Sequence, residues 1–269
     1  MRTTRIRFLA LALGAILAAA QAHGLDAETH EAPSWSMADE YWGADEMAAA
    51  RRAVQADAGG QKNVFVMADR LERQSADDEP SLLWDVQGWY GGDLNKLWIK
   101  SEGDYDFDAG EVEEAVVQAL WSRAVAPYFD LQAGLRHDAE PDGLTHGVLG
   151  VQGLAPYWFE VDAAAFVSEQ GDLTARLEAE YELLLTQRLV LQPRAELELS
   201  AQRIPDLDLG SGVTGLDLGV RLRYEIRREI APYVGVEWQS ALGDTADMAE
   251  ASGADPSRTA FVAGLRLWF

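Results

Sequence analysis

The sequence predicts an all-β fold: a closed antiparallel transmembrane β-barrel of about twelve strands, preceded by a short N-terminal periplasmic helical segment. Three observations carry this expectation. Alternating apolar and polar runs extend beyond ten residues, their connections switch between tight and longer, and nothing after the leader is apolar and long enough to cross a membrane as a helix. A soluble strand alternates for about five or six residues, whereas a tilted strand crossing hydrocarbon needs roughly nine to eleven. Strands that cross lipid must close into a barrel, because lipid offers no partner to an open edge.

Residues 178–202 show the pattern best. Leu189, Leu191, Ala195, Leu197 and Leu199 share one parity, while Gln192, Arg194, Glu196, Glu198 and Ser200 share the other. That is the period of a strand with two different faces. A preceding alternating run folds onto it about Thr186-Gln187-Arg188.

Taken from the start, Arg2, Arg5 and Arg7 precede an apolar run from Phe8 to Ala20, and Ala20-Gln21-Ala22 has the small-x-small form of a secretory cleavage site. Residues 1–22 read as a signal peptide, their apolar run being shorter than the roughly 20 residues of a spanning helix. Residues 23–62 read as a periplasmic segment with a helix from Met37 to Ala58. Asp39 is placed to cap it, Met47, Ala48, Ala50 and Val54 fall near helical spacing, and Gly59-Gly60 end it.

Residues 63–269 form the barrel. The strands expected are 64–73, 81–90, 93–103, 112–123, 126–137, 145–153, 156–167, 172–185, 188–202, 213–227, 231–241 and 258–269. Tight connections fall at Gly91-Gly92, Ala124 to Pro127, Gly153 to Pro156, Thr186 to Arg188 and Glu229 to Pro232. Longer, acidic ones fall at Gln74 to Pro80, Asp104 to Glu111, Asp138 to Leu144, Ser168 to Asp172, Arg203 to Gly212 and Leu242 to Ser257. Short turns at one end and long loops at the other describe an outer-membrane barrel with its short turns and both termini in the periplasm. Trp89, Tyr90, Trp121, Tyr128, Tyr157, Trp158, Tyr233 and Trp268 gather near the tight turns, as rings suited to a membrane interface would. The last strand puts Phe261, Leu265, Leu267 and Phe269 on one face, and its terminal Phe resembles the assembly signal of bacterial outer-membrane barrels.

With 48% hydrophobic residues the chain is not disordered, and with no cysteine it has no disulfides, thiol nucleophile or thiolate metal site. A formal net charge of −23 makes nucleic acid an unsuitable partner and cations a suitable one.

Parity turns Arg176, Glu178, Glu180, Glu182, Arg194, Glu196, Glu198, Asp217, Arg221, Arg223 and Glu225 into the lumen, with Lys96, Lys100, Glu102, Arg136, Glu160, Asp162 and Glu237 joining them. Such charges must pair or stay hydrated. They form either an ion-pair network that stiffens the barrel or an acid-biased path for a cation, and the sequence leaves both open. Twelve strands lie between the eight whose side chains fill the interior and the sixteen that leave a channel.

A series of dispersed motifs, in order along the chain, carries a family resemblance. The match runs through Trp42, Glu46 to Arg51, Ala68-Asp-Arg-Leu-Glu72, Trp84-Asp85, Trp89, Gly92 to Lys100, Glu102-Gly103 and Gln152 to Tyr157. It continues through Leu184 to Arg188, Leu191 to Arg194, Leu222 to Ile226, Ala231 to Gly235 and Trp268-Phe269. In these residues the chain resembles the copper resistance protein B family, and the resemblance implies an outer-membrane barrel acting in copper tolerance, binding excess copper ions or helping them leave the periplasm. Its partners would be copper, outer-membrane lipid and periplasmic copper-handling proteins.

Members commonly carry a long N-terminal tract of Met and His, whose thioether and imidazole donors suit Cu(I) and Cu(II) respectively. Here it is reduced to His23, His30, Met37 and Met47. His23, if it becomes the first residue, offers an amine and an imidazole together. His137 and His146 flank an acidic turn and would start a rim site in a regular hairpin, although their parities differ. Met67, near a strand, completes the candidate metal donors, and Met248 lies in a loop.

Two other functions compete with a metal-handling barrel. One is a cation-preferring solute channel without a specific copper site. The other is an outer-membrane phospholipase, which needs a serine nucleophile beside a histidine base; no serine stands at an evident matching position, so no enzymatic activity is expected.

Overall fold

The computed structural model of the protein describes residues 36–76, 79–141 and 143–269. The expected signal peptide, His23 and His30 lie outside them. The chain forms two compact units, divided in sequence between Lys62 and Asn63.

The first unit contains two helices where one was expected: α1 (Asp39–Trp42) and α2 (Ala44–Ala58). Gly43 breaks them apart at φ 85°, in the left-handed region that glycine enters without a Cβ clash. Asp39 does not cap a helix with its side chain. Instead its carboxylate accepts two hydrogen bonds from Arg51 of α2, at 2.7 and 3.0 Å. These bonds hold the Asp39 carboxyl below its usual range. Gly59 closes α2 as expected.

In the second unit the strands are β1 (Asn63–Ala76), β2 (Glu79–Gly91), β3 (Asn95–Asp106), β4 (Glu111–Ala126), β5 (Phe129–Glu140), β6 (Leu144–Ala155) and β7 (Phe159–Ser168). They continue with β8 (Leu173–Glu180), β9 (Leu183–Leu184), β10 (Leu189–Ser200), β11 (Gly212–Tyr224), β12 (Ile230–Ala241) and β13 (Ser257–Trp268). Strands β8 and β9 are two parts of one stave, since both pair with β10. The result is a closed antiparallel barrel of twelve staves, sealed where β1 pairs with β13. Among the described residues no helix is long and apolar enough to cross a membrane.

The gap between β8 and β9 has a local cause. Opposite Tyr181 lies Pro193 of β10, which has no N–H to give, so the ladder continues there only through the bond from Tyr181 N–H to the Pro193 carbonyl. At the next turn Thr186 Oγ1 accepts from the backbone N–H groups of Arg188 and Leu189, which fixes the reversal into β10.

Three connections expected to be longer are short, and the one at Ser168 to Asp172 keeps nearly its expected length. The ladders run on to Ala76, Asp106, Glu140 and Ser168, which puts Asp104, Asp106, Asp138 and Glu140 on strand extensions, while Asp108, Glu169 and Asp172 stay in the turns. Only residues 201–211 and 242–256 are long, and the second holds a helix absent from the sequence expectation, α3 (Asp244–Ser252). Antiparallel pairing satisfies the backbone in water as well as in lipid, so nothing stops a hairpin at the edge of the hydrocarbon.

Outward positions are apolar and exposed, among them Leu135, Leu149, Val167, Leu218, Val220, Val236 and Phe261. Tyr90, Trp121, Tyr128, Tyr157 and Trp158 are also exposed near the tight turns. The belt is smaller than expected, however. Tyr233 is only 5% exposed and hydrogen-bonds inside the barrel, and Trp89 stacks on Phe65, which also contacts Trp268.

Candidate functional site

A strand presents alternate side chains to the lumen, so the inward parity fixes what fills it. The charges named from the sequence do lie inside, and most of them pair. Arg194 of β10, with 3% of its side chain exposed, reaches Glu178 at 2.8 Å, Glu180 at 3.4 Å and Glu237 at 3.5 Å, and also contacts Glu196. Arg221 of β11 grips Glu72 with two hydrogen bonds, at 2.9 and 3.0 Å, and meets Glu237 at 2.7 Å. Glu72 is fully buried and accepts further bonds from Tyr233 Oη at 3.0 Å and Gln74 Nε2 at 3.1 Å. Glu182, between β8 and β9 beside the Pro193 interruption, is shared by Arg223 and Arg266, each at 2.6 Å. Desolvated charges survive only with this kind of multiple satisfaction.

Three further ion pairs start from β3. Lys96 pairs with Asp130 at 2.7 Å, Lys100 with Asp162 at 2.5 Å, and Arg176 with Glu102 through two bonds of 2.6 and 2.9 Å. Beside them Leu120, Val148 and Phe166 form an inward apolar cluster.

Glycines make room for this network. A Cβ on Gly264 would lie 2.5 Å from Tyr233 Oη and 2.7 Å from the Glu72 Cβ, so the Tyr233 ring can cross that strand only over a glycine. Gly264→Val is expected to destabilise the barrel by about 1–3 kcal/mol through overpacking. Tyr233→Phe, which removes only a hydroxyl, should cost about 1 kcal/mol. Urea midpoints, read from the differing gel mobilities of folded and unfolded barrel, would rank the two.

Two cavities remain. The larger, about 410 Å³, opens toward the tight turns and is lined by Met67, Asp69, Asp85, Glu102, Asp130, Glu160, Asp162, Glu178 and Glu180 together with Lys96, Lys100, Arg176 and Arg266. The smaller, about 120 Å³, lies toward the long loops and is lined by Arg136, Asp138, His146, Asp172, Arg176 and Glu198. Acidic groups outnumber basic ones in the larger, which favours cations.

The candidate metal donors are dispersed. Met37 is exposed and Met47 half-buried in the helical unit. Met67 lines the larger cavity, its sulfur 3.6 Å from Arg266 Nη2. His146 lines the smaller cavity, 8% exposed, with Nδ1 3.7 Å from Asp138 Oδ2. His137 is exposed and shares a 3.1 Å hydrogen bond with Thr145 Oγ1. Its ladder partner is Thr145, whereas His146 pairs with Arg136, so the histidines point to opposite faces. The rim site with both histidines is thereby corrected: a register one residue away from a symmetric hairpin separates them. Among the described residues no group of three or more His, Asp or Glu is arranged to hold a metal ion.

Sequence reasoning missed Asp69, Arg70, Glu72 and Asp85 as luminal residues. The register of β1 shifts between Ala68 and Arg70, so Asp69 is an extra residue in a bulge. The bulge turns both Asp69 and Arg70 inward, where they meet Arg266 at 2.8 Å and Asp85 at 3.3 Å. It also reverses the parity of everything after it in β1. The available signal was the run of charges Asp69, Arg70 and Glu72, which no single parity can hide from lipid.

Residues 62–269 match the family model described as copper resistance protein B precursor. Copper resistance protein B of Escherichia coli is 45% identical over 208 residues, spanning 77% of this chain and 70% of that protein. A copper resistance protein B homolog of Pseudomonas syringae pv. tomato is equally similar, at 45% over 208 residues with the same coverage. A solved NanC porin shares the fold with a TM-score of 0.51 at 10% identity, covering 76% of this chain and 99% of that one.

Proposed function

Because this chain belongs to the copper resistance protein B family, we propose that it is a non-enzymatic outer-membrane barrel that lowers periplasmic copper, binding excess ions and assisting their export through its lumen. The tight-turn end and the N-terminal segment face the periplasm in this reading, after removal of residues 1–22. The observation that carries it is the placing of two copper-suited donors in the two luminal cavities: Met67 in the larger, His146 in the smaller. Thioether sulfur suits Cu(I) and imidazole suits Cu(II). The acidic lining draws cations toward Met67, and sparse donors at each stage let an ion leave again, as passage requires. His23, His30, Met37 and Met47 would collect copper at the periplasmic face, from free ions or from periplasmic copper-handling proteins, and His137 would meet it at the outer rim.

A second reading is a cation-preferring channel with no specific copper site. It is favoured by the lack of any three-residue His, Asp or Glu metal group among the described residues.

Copper tolerance and copper binding separate the two. Deleting the gene should raise copper sensitivity. The purified protein should bind Cu(I) or Cu(II) at a definable stoichiometry that falls in the Met67→Leu/His146→Ala double variant. Unchanged tolerance together with no binding would sink the copper reading. Full binding by the double variant, lost instead on removing residues 23–62, would move the donors to the N-terminal segment.

A further inference from the structure

We infer that the Arg176–Glu102 ion pair is the septum of the lumen, which closes it to ions and sets the selectivity of whatever passes. Arg176 lines both cavities and is where they meet, with Glu102 lining the larger and Glu198 the smaller. Around the ring, four staves separate the β3 and β8 staves on one side and six on the other, so this pair crosses close to the full width of the barrel. It is held by two parallel hydrogen bonds, at 2.6 and 2.9 Å, the geometry in which a guanidinium best fixes a carboxylate. Arg176 also lies 4.0 Å from Glu196 of the adjacent β10, which belongs to the cluster around Arg194 on the wall facing Glu102. Guanidinium and carboxylate together thus continue the packed network across the space that would otherwise join the cavities.

An ion moving along the axis must displace this pair. A cation meets Arg176 as the one positive group common to both cavities, and Glu102 offsets it. Neutralising either partner breaks the bridge but leaves opposite residual charges on the path. This deepens the export reading and rests on it only for the identity of the cargo; the closure itself is testable with potassium chloride.

The test is conductance and reversal potential of the full-length barrel in planar bilayers under a KCl gradient. The wild type should conduct weakly. Both Glu102→Gln and Arg176→Ala should raise conductance several-fold, with reversal potentials shifted in opposite senses: Arg176→Ala toward stronger cation preference, Glu102→Gln toward weaker. The exchanged pair Arg176→Glu/Glu102→Arg should close the lumen again. Retained heat-modifiable mobility on gels certifies a folded barrel, and the near-isosteric Glu102→Gln carries the test if Arg176→Ala fails to fold. Folded variants that conduct and select like the wild type would overturn the septum. Loss of copper binding without any conductance change would leave the copper reading standing and the septum refuted.

Discussion

Arg194→Met is expected to be the most damaging single substitution in the lumen, costing the folded barrel about 3–5 kcal/mol. One guanidinium, with 3% of its side chain exposed, serves Glu178, Glu180, Glu196 and Glu237. Without it those carboxylates repel one another in a poorly hydrated space, and Arg221 can relieve only Glu237, at 2.7 Å. Arg194→Lys should rescue little, because an ammonium is a compact charge without the planar fork that lets arginine bind several carboxylates. Urea unfolding of the purified barrel measures the loss. Adding Glu178→Gln to Arg194→Met should recover part of it, giving a coupling energy of the kind contacting residues show, roughly 0.5–3 kcal/mol. A loss below about 1 kcal/mol, the range of exposed pairs, would mean that water already solvates these charges and that the network is not what holds the lumen.

How far this arrangement can be read from the sequence depends on where parity stays unbroken. In β10, eleven steps of alternation are uninterrupted, and Leu189 to Ser200 fall on the faces that their order implies. The Arg194 group was therefore legible residue by residue, although which acids it would join was not, since ring position is set by strands far apart in sequence. In β1 the bulge at Asp69 defeats the same reasoning, and with it the position of Glu72, so the carboxylate that meets the correctly placed Arg221 could not be read from the sequence. Tyr233 shows a second limit. An aromatic near a tight turn suits the interface by composition, but its ring follows the parity of its strand, and Gly264 supplies a place for it inside. Charge counts likewise identified the acidic ends without showing which residues there, such as Asp104, Asp106, Asp138 and Glu140, are carried on strand extensions. Hydrogen-bonded hairpins and loops can carry the same polar residues, so composition does not separate them. The candidate copper donors were visible as residue types. Only the register of β5 on β6 decides that His146 enters the lumen and His137 does not.

Leu218→Arg is expected to destabilise the barrel by about 2–4 kcal/mol in a bilayer, because a charge near the middle of the lipid face has no water and no partner. Leu218 stands near the centre of β11, is 42% exposed, and has Ala195 and Trp238 beside it on the two neighbouring strands. Its neighbours Asp217 and Gly219 face inward, so the substitution leaves the ion-pair network untouched. Val213→Arg is the matched control. It is on the same outward face but near the long-loop end of the strand, at the Leu199 position of β10, where arginine should cost only about 0–1 kcal/mol. Urea titrations in lipid vesicles would give both values. A penalty that depends on depth requires hydrocarbon around the barrel; equal penalties would mean that the outer leucines and valines are covered by something other than lipid. The comparison also separates the two sources of stability in the fold. The Arg194 variant loses stability through charges stranded inside, and the Leu218 variant through a charge stranded outside. Only the second loss should shrink when lipid is exchanged for a detergent micelle, whose thin and pliable shell lets the arginine reach water.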